Sequence, residues 1–356
     1  MFECRVSGDS LLRRPDRWPS HRNQTGSLGR VSPQRKVNAD VFGFINCNKP
    51  SGMTSRDLVN IAARRVRPHK VGHSGTLDPL AEGVLVLGVG RASRLTSFVQ
   101  NYPKQYLASF RLGAESESGD LEQPLTEYPD DPIPTLESLV AAAKSLTGEV
   151  LQVPSAYSAI WIDGKRACDR IRNGEQVDVP SRKVQVYDFK IVKYDYPNVA
   201  LDITCGSGTY VRSLGVDLAA SVGGHAVMTH LVRTRVGPFH AGDTISIDQI
   251  RHDDLAPFVQ PARLGVEHLP HLSVNDEDAM RLINGLNVFG TAFYTPIDPL
   301  TGDAGPIESS VPTDEGVAAA IRTDGRLIAI VRGKTKQYDP SWYPERVFPL
   351  EPRSLS

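Results

Sequence analysis

The stretch GHSGTLDPLAEGVLVLGVGRAS, residues 72–93, constrains the fold more than any other part of the chain. Gly72, Gly75, Gly83, Gly88 and Gly90 punctuate it. Glycine weakens a helix interior by roughly 0.5–1 kcal/mol relative to alanine, so a long helix cannot run through these residues. The pattern instead allows a turn around Asp78 and Pro79 followed by a buried strand, VLVLGVG. Asp before Pro also suits a helix start, with the carboxylate as cap and the proline at the first helical position. Local chemistry thus leaves Asp78 two readings: a helix cap, or a carboxylate presented by a turn.

The flanking segments set the fold class. VFGFIN reads as a strand and NKPSGM as the turn after it. Thr54 with Asp57 makes a capping box, opening a helix that buries Leu58, Val59, Ala62 and Val66 at helical spacing. That helix ends in Arg64, Arg65, Arg67, His69 and Lys70, a basic cluster denser than a helix end requires. SRLTSFVQ reads as a helix and KQYLASFRLG as an alternating strand. TLESLVAAAKSL is an amphipathic helix capped by Thr135. VQVYDFKIVKYDY and VALDITCGSGTYVR read as strands, and SLGVDLAASVGG as a helix. No βαβ unit recurs, so the expected class is α+β with a mixed, largely antiparallel central sheet.

Residues 1–37 carry eight Arg or Lys and few apolar residues, and read as a disordered basic N-terminal extension. No apolar core follows these arginines, so a cleaved secretory signal is not indicated. The expected catalytic domain spans residues 38–250. Residues 251–356 turn acidic and read as a small β-rich domain. No run approaches the ~18 apolar residues of a membrane span. Cys4, Cys47, Cys168 and Cys205 form no CxxC pair, which points to a reducing, cytoplasmic compartment and to no metal site. No GxGxxG and no full GxxxxGK[ST] loop is present, which removes the main support for dinucleotide and P-loop readings. A net charge of −1 hides local patches and decides nothing about partners.

Six ordered segments carry a more specific signal. GHSGTLDPLAEGVL resembles the GHxGTLDPxAxGVL loop of the bacterial TruB family of tRNA pseudouridine synthases. NKPSGMTS is similar to that family's KPxGxTS opening, KQYLASFRLG to its KxYxxxxxLG strand, and QVPSAYSAIWIDGKRA to its QxPPxxSAxKxxGxxA segment. GSGTYVRSLGVDLA and HLVRTRVGPF resemble its GTYxRxLxxDLG and LxRTxxGxF runs. LPHLSVNDEDAMRLINGLNV, GRLIAIVRG and PERVFPL resemble, more weakly, its PUA-like C-terminal domain.

The resemblance implies an isomerase that converts uridine to pseudouridine in the T-loop of tRNA, position 55, by base flipping, with no cofactor and no metal. It implies a monomer whose partner is the T-arm of tRNA. It puts the catalytic aspartate at Asp78, the arginine that pairs with it at Arg212 and the base-stacking tyrosine at Tyr106. Tyr210 and Leu231 would line the uracil pocket, His73 would contact the RNA loop, and Lys49 would be either structural or phosphate-facing. Tyr210 and Arg212, two apart in a strand, would share a face. A guanidinium orients a carboxylate and favours its charged form.

The chain departs from the family pattern at Asn48, Ser155, Trp161 and near Cys168 and Asp169, which touches substrate contacts more than chemistry. Three alternatives stand beside the leading one. They are a noncatalytic RNA-binding protein on the same scaffold, a guide-RNA-dependent synthase with a larger basic terminal domain, and a hydrolase using Asp78. Glycosidases normally pair two carboxylates, and only Asp78 sits in a suitable motif, because Glu82 is expected to face solvent.

Overall fold

The computed structural model describes residues 42–348, except 156, 158–159, 163, 297, 302–304, 311–315 and 336–340; at 161, 165, 166, 168, 172 and 310 it describes only the backbone. The basic extension of residues 1–37 lies outside the described residues, as do the side chains of Trp161 and Cys168.

The chain opens with β1 (Gly43–Lys49), α1 (Ser55–Arg65), β2 (Val71–His73) and β3 (Glu82–Val89). A 3₁₀ turn leads into α2 (Thr96–Gln100), then β4 (Lys104–Leu112), β5 (Ala114–Glu115) and β6 (Thr126–Glu127). Next come α3 (Leu136–Ser145), β7 (Gly148–Gln152), β8 (Trp161–Ile162), β9 (Lys165–Arg166) and α4 (Ala167–Arg172). They are followed by β10 (Arg182–Asp195), β11 (Asn198–Cys205), α5 (Val211–Ser221), β12 (Ala226–Val236), β13 (Phe239–His240), α6 (Ile247–His252) and β14 (Gln260–Pro261). The last part holds β15 (His271–Val274), α7 (Asp276–Ile283), β16 (Ala292–Tyr294), β17 (Glu308–Ser310), β18 (Val317–Arg322), β19 (Leu327–Lys334) and β20 (Ser341–Val347).

The large sheet runs β14-β1-β3-β12-β4-β11-β10-β7, with β2 on β3 and β13 on β12. Its pairings are antiparallel except one: β12 joins β3 in parallel, Val232 opposite Glu82 and Arg233 opposite Gly83. That join sets the start of β3, and so the turn before it, beside β12. Helices α3 and α5 cover one face over Phe110, Leu139, Leu201 and Leu214. The α1 and α6 helices pack on Ile45, Leu85 and Leu87. Gly215 makes the α5 contact possible, since a Cβ there would stand 2.0 Å from the Phe110 ring. The α+β reading and the mixed, mostly antiparallel sheet hold.

The second sheet, β17-β16-β15-β18-β19-β20, packs α7 and Trp342 into its own core. The two sheets are tied together. β14 pairs with β1, although it follows residue 250. Phe348 stacks on Phe42 with centroids 5.0 Å apart. Between the sheets the Tyr102 hydroxyl donates to the Leu264 carbonyl at 2.7 Å and accepts from the Glu267 amide at 2.9 Å. The His268 ring meets Tyr102 edge-on at 4.5 Å. Both of its nitrogens are buried with no hydrogen-bond partner among the described residues.

Two local expectations are corrected. No helix follows Asp78: Pro79 and Leu80 form a turn and β3 starts at Glu82, which is half-buried. The apolar run VLVLGV pairs over its whole length with β1, which outweighs the local preference of Asp-Pro for a helix start. Tyr210 and Arg212 are not on a strand either. α5 begins at Val211, with Tyr210 as its N-cap. No helix of the described residues is long and apolar enough to cross a membrane.

Candidate active site

Asp78 sits on the turn between β2 and β3, and three elements brace that turn. The Lys49 amine, at the end of β1, donates to the carbonyls of Pro50 at 3.0 Å, Pro79 at 3.0 Å and Ala81 at 2.6 Å. Ser55, opening α1, donates to the Leu77 carbonyl at 3.1 Å and accepts from the Leu77 amide at 2.9 Å. The Ala81 amide closes the turn on the Asp78 carbonyl at 3.1 Å. Lys49 is fully buried, and burial pushes its amine down to about 8. The residue expected to be structural or phosphate-facing is therefore committed to the backbone of the Asp78 turn.

The Asp78 carboxylate meets Arg212 across the fold. Arg212 Nη2 donates to Asp78 Oδ2 at 2.5 Å. Arg212 Nη1 donates to the Ser118 carbonyl at 2.6 Å and lies 3.0 Å from Asp120 Oδ2. Side-chain exposure separates the two acids: 36% for Asp78, 2% for Asp120, with Arg212 at 5%. Asp120 is held further by the Ser118 hydroxyl at 2.6 Å and the Glu122 amide at 3.0 Å. Arg212 is thus anchored on its buried side and presents Asp78 on its open side. Helix α5 reaches this position because Gln152, fully buried, clamps its first turn. Its Nε2 donates to the Tyr210 carbonyl at 3.0 Å and its Oε1 accepts from the Tyr210 amide at 2.8 Å.

Asp78 opens onto a cleft of about 370 Å³ lined also by Tyr106, Tyr210, Arg212, Leu231 and Arg233. Tyr106 and Leu231 supply its apolar wall, on β4 and β12. Burial pushes the Tyr106 phenol up, and the nearby charge of Arg233 opposes that. Arg233 Nε in turn donates to the Val84 carbonyl at 2.8 Å. Tyr210 lies under the Arg182 guanidinium at 4.9 Å, and Arg182 also donates to the Gly208 carbonyl. Lys104 reaches the cleft with its amine on the Gln100 carbonyl, and burial pushes it down to about 8. His73 stands just outside the lining, half-buried, with its Nδ1 accepting from the Gly75 amide at 3.3 Å. Burial, then the charge of Arg56, pushes that imidazole below its usual value.

Five of the seven expected site residues, Asp78, Tyr106, Tyr210, Arg212 and Leu231, therefore converge on one cleft, while Lys49 and His73 support the loop that carries Asp78. Asp120, Arg233, Lys104 and Gln152 went unremarked. Lys104, Gln152 and Arg233 stand inside quoted motifs, whereas Asp120 sits in ESESGD, which reads as an ordinary polar loop. A reachable carboxylate oriented by a buried guanidinium, facing an apolar slot with aromatic walls, suits chemistry on a planar ring and its sugar. No cluster of metal-ligating side chains occurs among the described residues.

Residues 63–211 match the model for the N-terminal domain of TruB family pseudouridylate synthases. A tRNA pseudouridine synthase B from Rhodopirellula baltica is 41% identical over 335 residues, covering 86% of this chain and 95% of that protein. One from Streptomyces griseus is 37% identical over 257 residues, covering 69% and 85%. Among solved structures, an H/ACA RNP bound to a substrate RNA containing 2′-deoxyuridine matches with TM-score 0.62 at 23% identity, covering 87% of this chain and 86% of that one. A Cbf5-Nop10-Gar1 complex matches with TM-score 0.63 at 22% identity, covering 86% and 84%. At that identity the structural likeness speaks for the fold alone.

Proposed function

The chain belongs to the TruB family of pseudouridine synthases, and on that premise we propose that it isomerises uridine-55 in the T-loop of tRNA, with Asp78 as the catalytic carboxylate. The enzyme is an isomerase acting on tRNA. Its substrate keeps every atom: the N1–C1′ bond breaks, a C5–C1′ bond forms, C5 loses its hydrogen and N1 gains one. The exchange needs no oxidant or reductant.

A stacked base must leave the helix to be reached, so the nucleotide flips into the cleft. Tyr106 and Leu231 hold the uracil, and Tyr210 borders it from the start of α5. Asp78 then faces the reacting ribose and base. While the glycosidic bond is broken, an ionised carboxylate can bond to or stabilise the electron-poor centre. Arg212 keeps that carboxylate aimed and does not itself need to move, being fixed by Asp120 and the Ser118 carbonyl. We read the protein as a monomer of the cytoplasm, where Cys47 and Cys205 stay free and buried.

The observation that carries this reading is the half-buried Asp78 carboxylate held at 2.5 Å by a buried Arg212 within the aromatic cleft. The test uses purified protein and unmodified tRNA with no guide RNA. Wild type should form pseudouridine at position 55, and Asp78→Asn should abolish turnover while still binding tRNA. A fully active Asp78→Asn would remove Asp78 from the chemistry; an inactive wild type would defeat the reading.

A further inference from the structure

The loop from Gly113 to Asp131 leaves β4, carries Arg212's buried partner at its tip, and returns to α3. Within the loop, Asp120 accepts from Ser118 and Glu122, the Gly119 amide donates to Ser116, and β5 pairs with β6. Its own strands, β5 and β6, have two residues each, and Thr126 and Glu127 are exposed. The start of β12 holds it from outside, as Tyr157 does at Glu117. The His225 carbonyl accepts from the Gly113 amide at 3.0 Å, and the His225 amide donates to Asp131 Oδ2 at 2.7 Å. His225 Nδ1 meets the same carboxylate at 3.0 and 3.2 Å. The Tyr128 ring stacks on the imidazole, centroids 3.6 Å apart and planes 13° from parallel. Tyr128 also donates its hydroxyl to Glu115, and its amide to the Gly113 carbonyl at 2.8 Å. Both ends of the loop are therefore gathered at one histidine.

Three residues along the same strand, the Met228 amide donates to the Gly119 carbonyl at 3.0 Å, so β12 holds the loop's tip as well as its base. Gly119 has φ +76°, and a Cβ there would lie 3.1 Å from Arg212 Cγ and Cδ. The tip thus rests on the stem of Arg212 while Ser118 and Asp120 grip its head. A shift of the loop passes directly to the guanidinium that aims Asp78.

We propose that His225, with Asp131 and Tyr128, is a latch that positions Arg212 through the Asp120 loop, making His225 a positioning residue for the isomerisation. The proposal rests on the reading of Asp78 and Arg212 given above. Misplacing a reacting group by about 1 Å can cost on the order of 100-fold in rate, so a loosened latch should lower kcat by about 10- to 100-fold. The cleft walls stay intact, so KM for tRNA should hardly change.

The experiment measures kcat, KM and melting for His225→Ala, His225→Asn and Tyr128→Leu, alone and combined with Asp120→Asn. His225→Asn keeps an N–H near the Nδ1 position and should restore most of the kcat lost in His225→Ala. Asp120→Asn removes the ionic part of the loop's grip on Arg212 and leaves the Ser118 carbonyl, so both changes act along one path. The losses in His225→Ala/Asp120→Asn should then fall short of multiplying. Full kcat in a folded His225→Ala or Tyr128→Leu, or losses that multiply in the double variant, would overturn the latch. Arg212→Met is assayed alongside. If it retains full activity, the underlying site reading fails; if it loses activity while the latch variants do not, only the latch falls.

Discussion

Replacing Arg212 with methionine keeps most of the apolar stem and deletes the guanidinium, and the two acids it bridges should respond differently. Asp78, with 36% of its side chain exposed, regains water. Asp120, at 2%, cannot. Breaking a buried ion pair by removing one partner costs roughly 3–5 kcal/mol, because the other charge stays buried and unmatched. The Ser118 hydroxyl and Glu122 amide still donate to Asp120, at 2.6 and 3.0 Å, which puts the cost at the lower end of that range. About 3 kcal/mol corresponds to roughly 4 °C in melting temperature for 356 residues, at an unfolding entropy of about 2.1 cal/mol/K per residue. Adding Asp120→Asn removes the stranded charge, so the double variant should recover at least half of that loss. Thermal melts of wild type, both single variants and the double variant at pH 7 form the cycle. The reasoning is refuted if Arg212→Met melts with wild type, or if the double variant melts no higher than Arg212→Met. The pseudouridine assay on the same samples separates the roles, because the double variant should regain stability and remain inactive.

Lys49→Met strands three carbonyls around the Asp78 turn, and each unsatisfied buried group costs about 1–3 kcal/mol, so melting should fall and turnover with it; an unchanged melt counts against the brace. Gly215→Ala puts a methyl into the Phe110 ring, for which overpacking costs of about 1–3 kcal/mol are typical, and Phe110→Leu in the same chain should relieve part of it. An undisturbed Gly215→Ala would mean α5 does not lie as close as described. Burial pushes His268 down to about 4, below the ~6.5 of an unfolded chain. The unfolded chain therefore takes up the proton first. The stability due to this group is whole above pH ~6.5 and is lost as pH falls toward 4. His268→Phe should flatten that acid limb, and parallel melting curves for variant and wild type would refute the assignment.

Much of the fold is legible in the sequence, because it rests on local chemistry. Both expected caps form: Thr54 and Asp57 bond reciprocally, and Thr135 accepts from the Ser138 amide. The strands VLVLGV and KQYLASFRL fall where their apolar patterns put them. The errors came where tertiary contacts outvoted local preference. GTYVR has β-favouring residues and no capping side chain, yet α5 starts inside it because Gln152, 58 residues earlier in the chain, holds the Tyr210 backbone. Asp78 precedes proline and caps nothing, because Lys49 and the pairing of β3 with β1 claim its surroundings. Asp120 was invisible for a related reason. An acid in a serine- and glutamate-rich loop looks solvated until Arg212, far along the chain, arrives to bury it. In general, the resemblance located five of the groups that line the cleft, and only the fold revealed the groups that hold them.

The contact between Phe42 and Phe348 has a consequence for how the protein is made. Phe44, Val84 and Val236 of the large sheet share a core with Leu327, Ile330 and Phe348 of the second sheet. During synthesis the first strands emerge long before β19 and β20 exist. One apolar face of the large sheet must therefore wait uncovered until nearly the whole chain has left the ribosome. Such long-range closure slows folding and leaves sticky surface open to aggregation. A ribosome stalled before residue 327 would hold a nascent chain that already contains every residue of the Asp78 cleft and still lacks the cover for its own sheet.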